Sequence, residues 1–307
     1  MGGVAVVARL ARATARSLRG RDLALHAAAV TFYGGIAVVP AGLLTVWLAG
    51  LLAGADRVRR LLAYPIGSFP TAIGADRALA ALVDAGLGLT PPLALAALLP
   101  ASLYGEGLRR ALVSLDDPGE AFVGWRGRLL LLPLLAAGPA LLLALLAALP
   151  AAVRLLNRGG WAAVAGVVLS FLATWLVLTP VVTWVFRAVG PGRPAWLPTA
   201  AGASLTAANL AGFLHGFVLF CALPLDLGVP FGGFDEVGGV VAVGLWLFVF
   251  HVLVLAGYAA TRQVTRWRAT AAAGRDPAGR GPDQAEVSAG SRGSAGAGSD
   301  SRMPYRR

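Results

Sequence analysis

Apolar stretches of 19 to 28 residues alternate, over the first 265 positions, with short segments that hold most of the charge. About 20 apolar residues in a helix cross roughly 30 Å of hydrocarbon, so the pattern predicts six membrane spans, at 24–51, 87–105, 129–150, 161–186, 199–223 and 237–260. The second is the shortest and is punctuated by Pro91, Pro92 and Pro100. Between the first two spans, "LLAYPIGSFPTAIGADRALAALVDAG" is too rich in Gly, Pro and Asp to cross, and predicts short helices lying on the membrane surface. Ahead of the spans, Arg9, Arg12 and Arg16 fall on one side of a helix, with Val7, Leu10 and Leu18 on the other. That spacing predicts an interfacial amphipathic helix over residues 1–22. After 265 the chain turns to Gly, Ser, Ala and Pro with mixed charge; such a segment cannot bury enough apolar surface to offset its ordering entropy, so a disordered tail is expected at 266–307. The fold class is therefore all-α: a polytopic membrane protein built as a six-transmembrane-helix bundle.

Composition agrees with the pattern. The chain is 57% hydrophobic and 13% charged, about half the charge of an ordinary soluble domain, with a mean hydropathy of +0.73. All 26 basic residues are arginine, a bias that fits a GC-rich genome. The net charge of +11 is spread over loops and termini and is not gathered on a face with aromatics beside it, so no nucleic-acid partner is expected. With the N-terminus inside, six spans leave 14 arginines on the cytoplasmic side and 6 outside, the tail beyond 268 not counted. Positive charge favours the cytoplasmic side, so both termini are expected there. Five spans would carry the arginines at 262–268 outside. The lone cysteine, Cys221, falls in a span and rules out a disulfide framework.

Polar groups inside spans are costly and are candidate functional positions. All three histidines, His26, His215 and His251, lie in or at the edge of spans. In the first span His26, Val30, Tyr33, Ala37 and Pro40 share one helical face; Ala28, Thr31, Gly35 and Gly42 line the opposite one, a small-residue face suited to close docking of another helix. Pro40 lacks the N–H that would bond the Ile36 carbonyl and is expected to bend the span. Seven-residue ladders, Gly202, Asn209 and Gly216 in the fifth span and Gly244, His251 and Tyr258 in the sixth, form seams. These seams either pack helix on helix or line a polar path. Glu106 ends the second span in "YGEGLRR", where Arg109 and Arg110 are helical-spacing partners; Arg126 and Arg128 head the third.

No Asp or Glu stands near the middle of a span, which disfavours strongly ion-coupled transport. The sequence holds no HExxH, GxSxG or P-loop and no Cys/His ligand spacing, so no catalytic residue, metal site or cofactor is assigned. The acidic pairs at 116–117 and 235–236 are predicted on opposite sides of the membrane.

The run "TFYGGIAVVP", with Phe32, Tyr33 and Pro40, resembles the first-span signature of the YihY/virulence factor BrkB family. "LRRALVSLDDPGEAFVGWRGRLL" resembles that family's loop between spans two and three, and "FDEVGGVVAVGLWLFVFHVLVLAGYA" its last span, with Gly238, Trp246 and Gly257 in place. Ala37 replaces a usual serine, Phe234 and Asp235 replace a tyrosine-glycine pair, and Ala259 replaces an acid, whose role cannot be carried over. The resemblance implies a bacterial inner-membrane protein with both ends in the cytoplasm, associated with envelope integrity and serum resistance but with no settled activity. The ribonuclease BN label of some relatives finds no residues here, since RNA cleavage needs an acid and base or a metal cluster and a basic groove. The expected function is transport, or assisted translocation, of a lipid or amphipathic solute, with membrane lipids as partners. The alternative is a non-transporting scaffold for envelope assembly, self-associating through the seams.

Two outcomes follow from the sequence. In a Cys221→Ala background, Ser17→Cys and Ser291→Cys should resist a membrane-impermeant thiol reagent in intact cells while Ser68→Cys reacts; labelling at 291 but not at 17 would mean an odd number of spans. Purified protein free of contaminating nuclease should leave RNA intact with or without divalent metal.

Overall fold

A computed structural model describes residues 3–67, 75–116, 124–192, 194–221, 223 and 225–273. The described residues are almost wholly helical and contain no strand. Helix α1 covers Gly3–Leu18, α2 Leu23–Ala53, α3 Ala55–Gly67, α4 Ala75–Leu87, α5 Pro91–Asp116, α6 Gly124–Leu156, α7 Gly160–Trp184, α8 Trp196–Cys221 and α9 Asp235–Ala273. On α1 Arg9, Arg12 and Arg16 are exposed while Leu18 packs on the core, as the amphipathic spacing requires. The segment after the first span forms two short helices, α3 and α4. Residues 1–265 form one compact unit. Helix α9 runs past the boundary expected for a disordered tail, because "TRQVTRWRATAAA" has good helix formers and no Gly or Pro to stop it. The rest of that tail, 274–307, lies outside the described residues.

Among the described residues five helices are long and apolar enough to cross a membrane: α2, α6, α7 with the turn that follows it, α8 and α9. Helix α5 is not among them, since three prolines and the charges of Glu106, Arg109, Arg110 and Asp116 dilute its apolar run. It is nonetheless central, with 12 of its 26 residues buried. At one end Ala94 and Ala101 pack on Leu44 of α2. At the other, Leu108, Ala111 and Leu112 join Ala27 and Val30 in the main core, and the Arg21 guanidinium donates to the Leu115 carbonyl. Helix α5 therefore runs antiparallel along α2 from the level of Leu44 to that of Arg21. At about 1.5 Å per residue that is roughly 35 Å, a bilayer's hydrocarbon thickness.

Small residues set the helix spacing. Gly105 of α5 and Gly127 of α6 are both buried and face each other, so that a Cβ on either would run into the other's carbonyl. The ring of Tyr33 lies on Gly107, where a Cβ would overlap it. Helices α8 and α9 exchange a reciprocal pair, Gly202 against Thr261 and Gly257 against Thr206. Without a hydrophobic drive between helices in lipid, such close approach supplies the packing energy.

On α2 the buried face is Ala27, Val30, Gly34, Ala37 and Leu44. The small face expected to dock a partner is covered only in part: Thr31 bonds His251 of α9, whereas Ala28 and Gly35 are exposed and nothing lies within 4 Å of the place a Gly35 Cβ would occupy. Gly34 takes the docking role, its missing Cβ 3.4 Å from His251 Cε1 and 3.6 Å from the Tyr104 ring. A Cβ on Gly42 would lie 3.2 Å from Leu82 of α4. Small residues lie all round this helix, so spacing could not say which side meets a neighbour. The helix continues through half-buried Pro40.

Gly127→Ala should therefore lower detergent stability by about 1–3 kcal/mol through overpacking. Gly35→Ala, which meets open space, should leave the melting temperature unchanged or raise it, because alanine is the better helix former. Parallel thermal melts of the two variants compare them directly.

Candidate functional site

Two polar layers cross the bundle, both on the seam of α9 that the ladder of His251 and Tyr258 predicted. His251 is 1% exposed. Its Nδ1 lies 3.0 Å from Thr31 Oγ1 of α2, and its Nε2 lies 2.9 Å from the hydroxyl of Tyr104 of α5. Thr31 also donates to the Ala27 carbonyl at 2.8 Å, the usual return bond of a helical threonine. With the Thr31 hydrogen committed there, Nδ1–H donates to Thr31 Oγ1 and Nε2 accepts from the Tyr104 O–H. Every polar atom of the imidazole is then satisfied in its neutral form. Three helices thus meet at a hydroxyl-imidazole-hydroxyl chain, with Gly34 making room for the ring. Its donors and acceptors are spent on one another across the three helices, and it holds no carboxylate.

Two helical turns along α9, about 10 Å away, Tyr258 begins the second layer, which is charged. The Tyr258 hydroxyl donates to Asp116 Oδ2 at 3.3 Å, and Arg262 pairs with the same carboxylate. Phe186 packs edge-on to the Tyr258 ring with centroids 5.4 Å apart. Asp116 belongs to the last turn of α5 and not to a loop, and it is buried with Arg109. After α7 the chain takes one π-helical turn, Val185–Val189, in which the Gly190 N–H reaches back to the Val185 carbonyl at 2.9 Å. Arg109 Nη1 donates to the Val189 carbonyl at 2.7 Å, so a buried cation caps the negative end of that helix. π turns concentrate at functional sites.

The helical-spacing partner foreseen for Glu106 is only part of its environment. Arg110 reaches Glu106 at 3.3 Å, but Arg128 of α6 holds one carboxylate oxygen with both Nε, 2.8 Å, and Nη2, 2.6 Å. Arg109 points to Val189 instead, and lies too deep, at 3% exposed, to be interfacial. Arg126 is exposed at the start of α6.

The other predicted positions stand apart from these layers. His215 binds Ser170 Oγ at 3.0 Å and its own Ala211 carbonyl at 2.8 Å, tying α8 to α7. Asn209 breaks its ladder: it is exposed, with Nδ2 on the Leu205 carbonyl at 2.9 Å, while Gly202 meets Thr261 of α9 and the missing Cβ of Gly216 lies 3.8 Å from Trp246. Tyr33 serves the α2–α5 contact on Gly107, and Pro40 lines neither layer. Sequence reasoning missed Tyr104 and Arg262. The signal available for Tyr104 was a phenol two residues before Glu106 at the end of an apolar run; for Arg262 there was none, since its partner is 146 positions away in the chain.

No three His, Cys, Asp or Glu side chains cluster as metal ligands among the described residues. With five helices of crossing length and apolarity, the chain is a multi-pass membrane protein. No curated protein and no solved structure matches it significantly. The profile of the family described as Virulence factor BrkB does match, over residues 14–281, and the chain belongs to that family, as the signatures at Thr31–Pro40 and in α9 implied.

Proposed function

We propose that this BrkB-family chain moves, or helps move, a lipid or amphipathic solute across the bacterial cytoplasmic membrane in envelope maintenance. The observation that carries the reading is the Thr31–His251–Tyr104 chain. Three polar side chains from three helices converge inside an apolar bundle, where interhelical polar groups are costly unless they serve packing or a path. A layer without a carboxylate suits a hydrogen-bonding headgroup better than a coupling ion. Six crossings, with both termini in the cytoplasm, go with this reading. They are supported by the antiparallel course of α5 along α2 and by the arginine asymmetry. No catalytic step, cofactor or nucleic acid enters it.

A second reading, a non-transporting envelope scaffold, is favoured by one feature. Asn209 and Gly35 are polar or small positions on outward faces of candidate spans, where a second copy or another membrane protein could dock.

Tyr104→Phe and Thr31→Val separate the two readings, because each removes one hydroxyl with little change in volume. Under the transport reading, both variants still fold, with stability lowered by about 1–3 kcal/mol for the unpaired ring nitrogen, yet cut the flux of fluorescent phospholipid per folded molecule in proteoliposomes by about tenfold. Loss of stability with unchanged flux per folded molecule would make the layer a packing device and leave the scaffold reading.

A further inference from the structure

The C-terminal half of α5, the start of α6 and the turn after the π-helical segment line a half-open cavity of about 340 Å³. That is within the range of small-molecule sites. Among the described lining residues none is acidic; Arg126 is an exposed cation, and Arg109 lies buried at the back. The carboxylates of α5 are committed elsewhere, Glu106 to Arg128 and Arg110, Asp116 to Arg262. The bond from Arg109 to the Val189 carbonyl fixes that guanidinium in its buried place. Gly190 and Gly192 form a wall that is backbone alone; Gly192 has φ +74°, which disfavours any side chain there, and a Cβ on Gly190 would press on the Tyr258 ring at 3.0 Å.

The rim has a different chemistry. Trp125 is 62% exposed and Leu129 is 52% exposed, both on the first turns of α6 where the chain enters its apolar run. Tryptophan at that position is the residue of a membrane-water interface. Trp184 supplies its ring only, because its indole N–H is already on the Leu130 carbonyl at 2.8 Å. An anion bound here would have the exposed Arg126 guanidinium at its charge and an apolar, lipid-level surface beside it. A free inorganic ion has no use for that surface, whereas a phosphate esterified to acyl chains does.

We infer that this cavity binds the phosphate group of an anionic phospholipid, with Arg126 as its direct ligand, the Gly190–Gly192 backbone as its wall and Trp125 against the glycerol and upper acyl segment. Arginine suits the role because its planar fork matches phosphate oxygens. The inference deepens the proposed lipid-handling function by naming the headgroup chemistry, and rests on it in taking the ligand from the bilayer.

Native mass spectrometry of the full-length protein, exchanged from detergent into an equal mixture of phosphatidylglycerol and phosphatidylcholine, tests it. Wild type should retain phosphatidylglycerol selectively. Arg126→Gln, at an exposed position, should keep the melting temperature but weaken phosphatidylglycerol about tenfold, toward phosphatidylcholine. Trp125→Ser should weaken both lipids. Arg60→Gln, an exposed arginine on α3, should change nothing. Equal retention of the two lipids by wild type, an unaltered Arg126→Gln, or full displacement of phosphatidylglycerol by millimolar inorganic phosphate would each overturn the assignment. Selective binding without flux in proteoliposomes would refute transport and leave this site standing; flux with no selective binding would refute the site alone.

Discussion

Everything in this bundle is arranged around the charges of one central helix. Helix α5 carries Glu106, Arg109, Arg110 and Asp116, yet runs through the middle of an apolar assembly. A charge taken out of water is tolerated only when paired and hydrogen-bonded. Each deep charge on α5 recruits a different neighbour: Glu106 takes Arg128 of α6, Arg109 the carbonyl that ends the π-helical turn, and Asp116 takes Arg262 and Tyr258 of α9. Those three commitments fix the rotation of α5 and the register of three other segments against it. Breaking one would leave an uncompensated charge among helices that have few other directional contacts.

Glycine makes those commitments geometrically reachable. Gly105 and Gly127 let α5 and α6 touch backbone to backbone, within range of the Arg128 bond to Glu106. Gly107 admits the Tyr33 ring, and Gly34 admits the His251 ring, so that α2, α5 and α9 converge where Thr31 and Tyr104 can both reach the imidazole. The neutral polar layer and the charged layer are thus not separate motifs. They are two levels of one close-packed seam, the first suited to hydrogen-bonded groups and the second to anchoring helix ends beside a cationic cavity.

The sequence shows where this seam lies but not what it meets. Repetition at seven residues placed His251 and Tyr258 on one stripe of α9, and both are buried there. The same reasoning put Asn209 between Gly202 and Gly216, yet Asn209 is exposed, because a ladder defines a line on a helix and neighbours need not cover its whole length. On α2 the wheel put Val30 and Ala37, both buried, on one face, but the docking surface is split: Thr31 and Gly34 both meet His251 while Gly35 is exposed.

By itself the amino-acid sequence determined the class of the protein, the approximate positions of its long helices, the short helices that follow the first of them and the family to which it belongs. These follow from local quantities: apolar length, helical period, and the density of Gly, Pro and charge. Only the tertiary structure decided that Arg109 is buried against Val189, that Glu106 answers chiefly to Arg128, and that Thr31, Tyr104 and His251 share one hydrogen-bond chain. The His251 contacts join residues 220 and 147 positions apart. No local pattern encodes such a pairing; it arises from which helix faces fit closely enough to bring the polar groups within bonding distance.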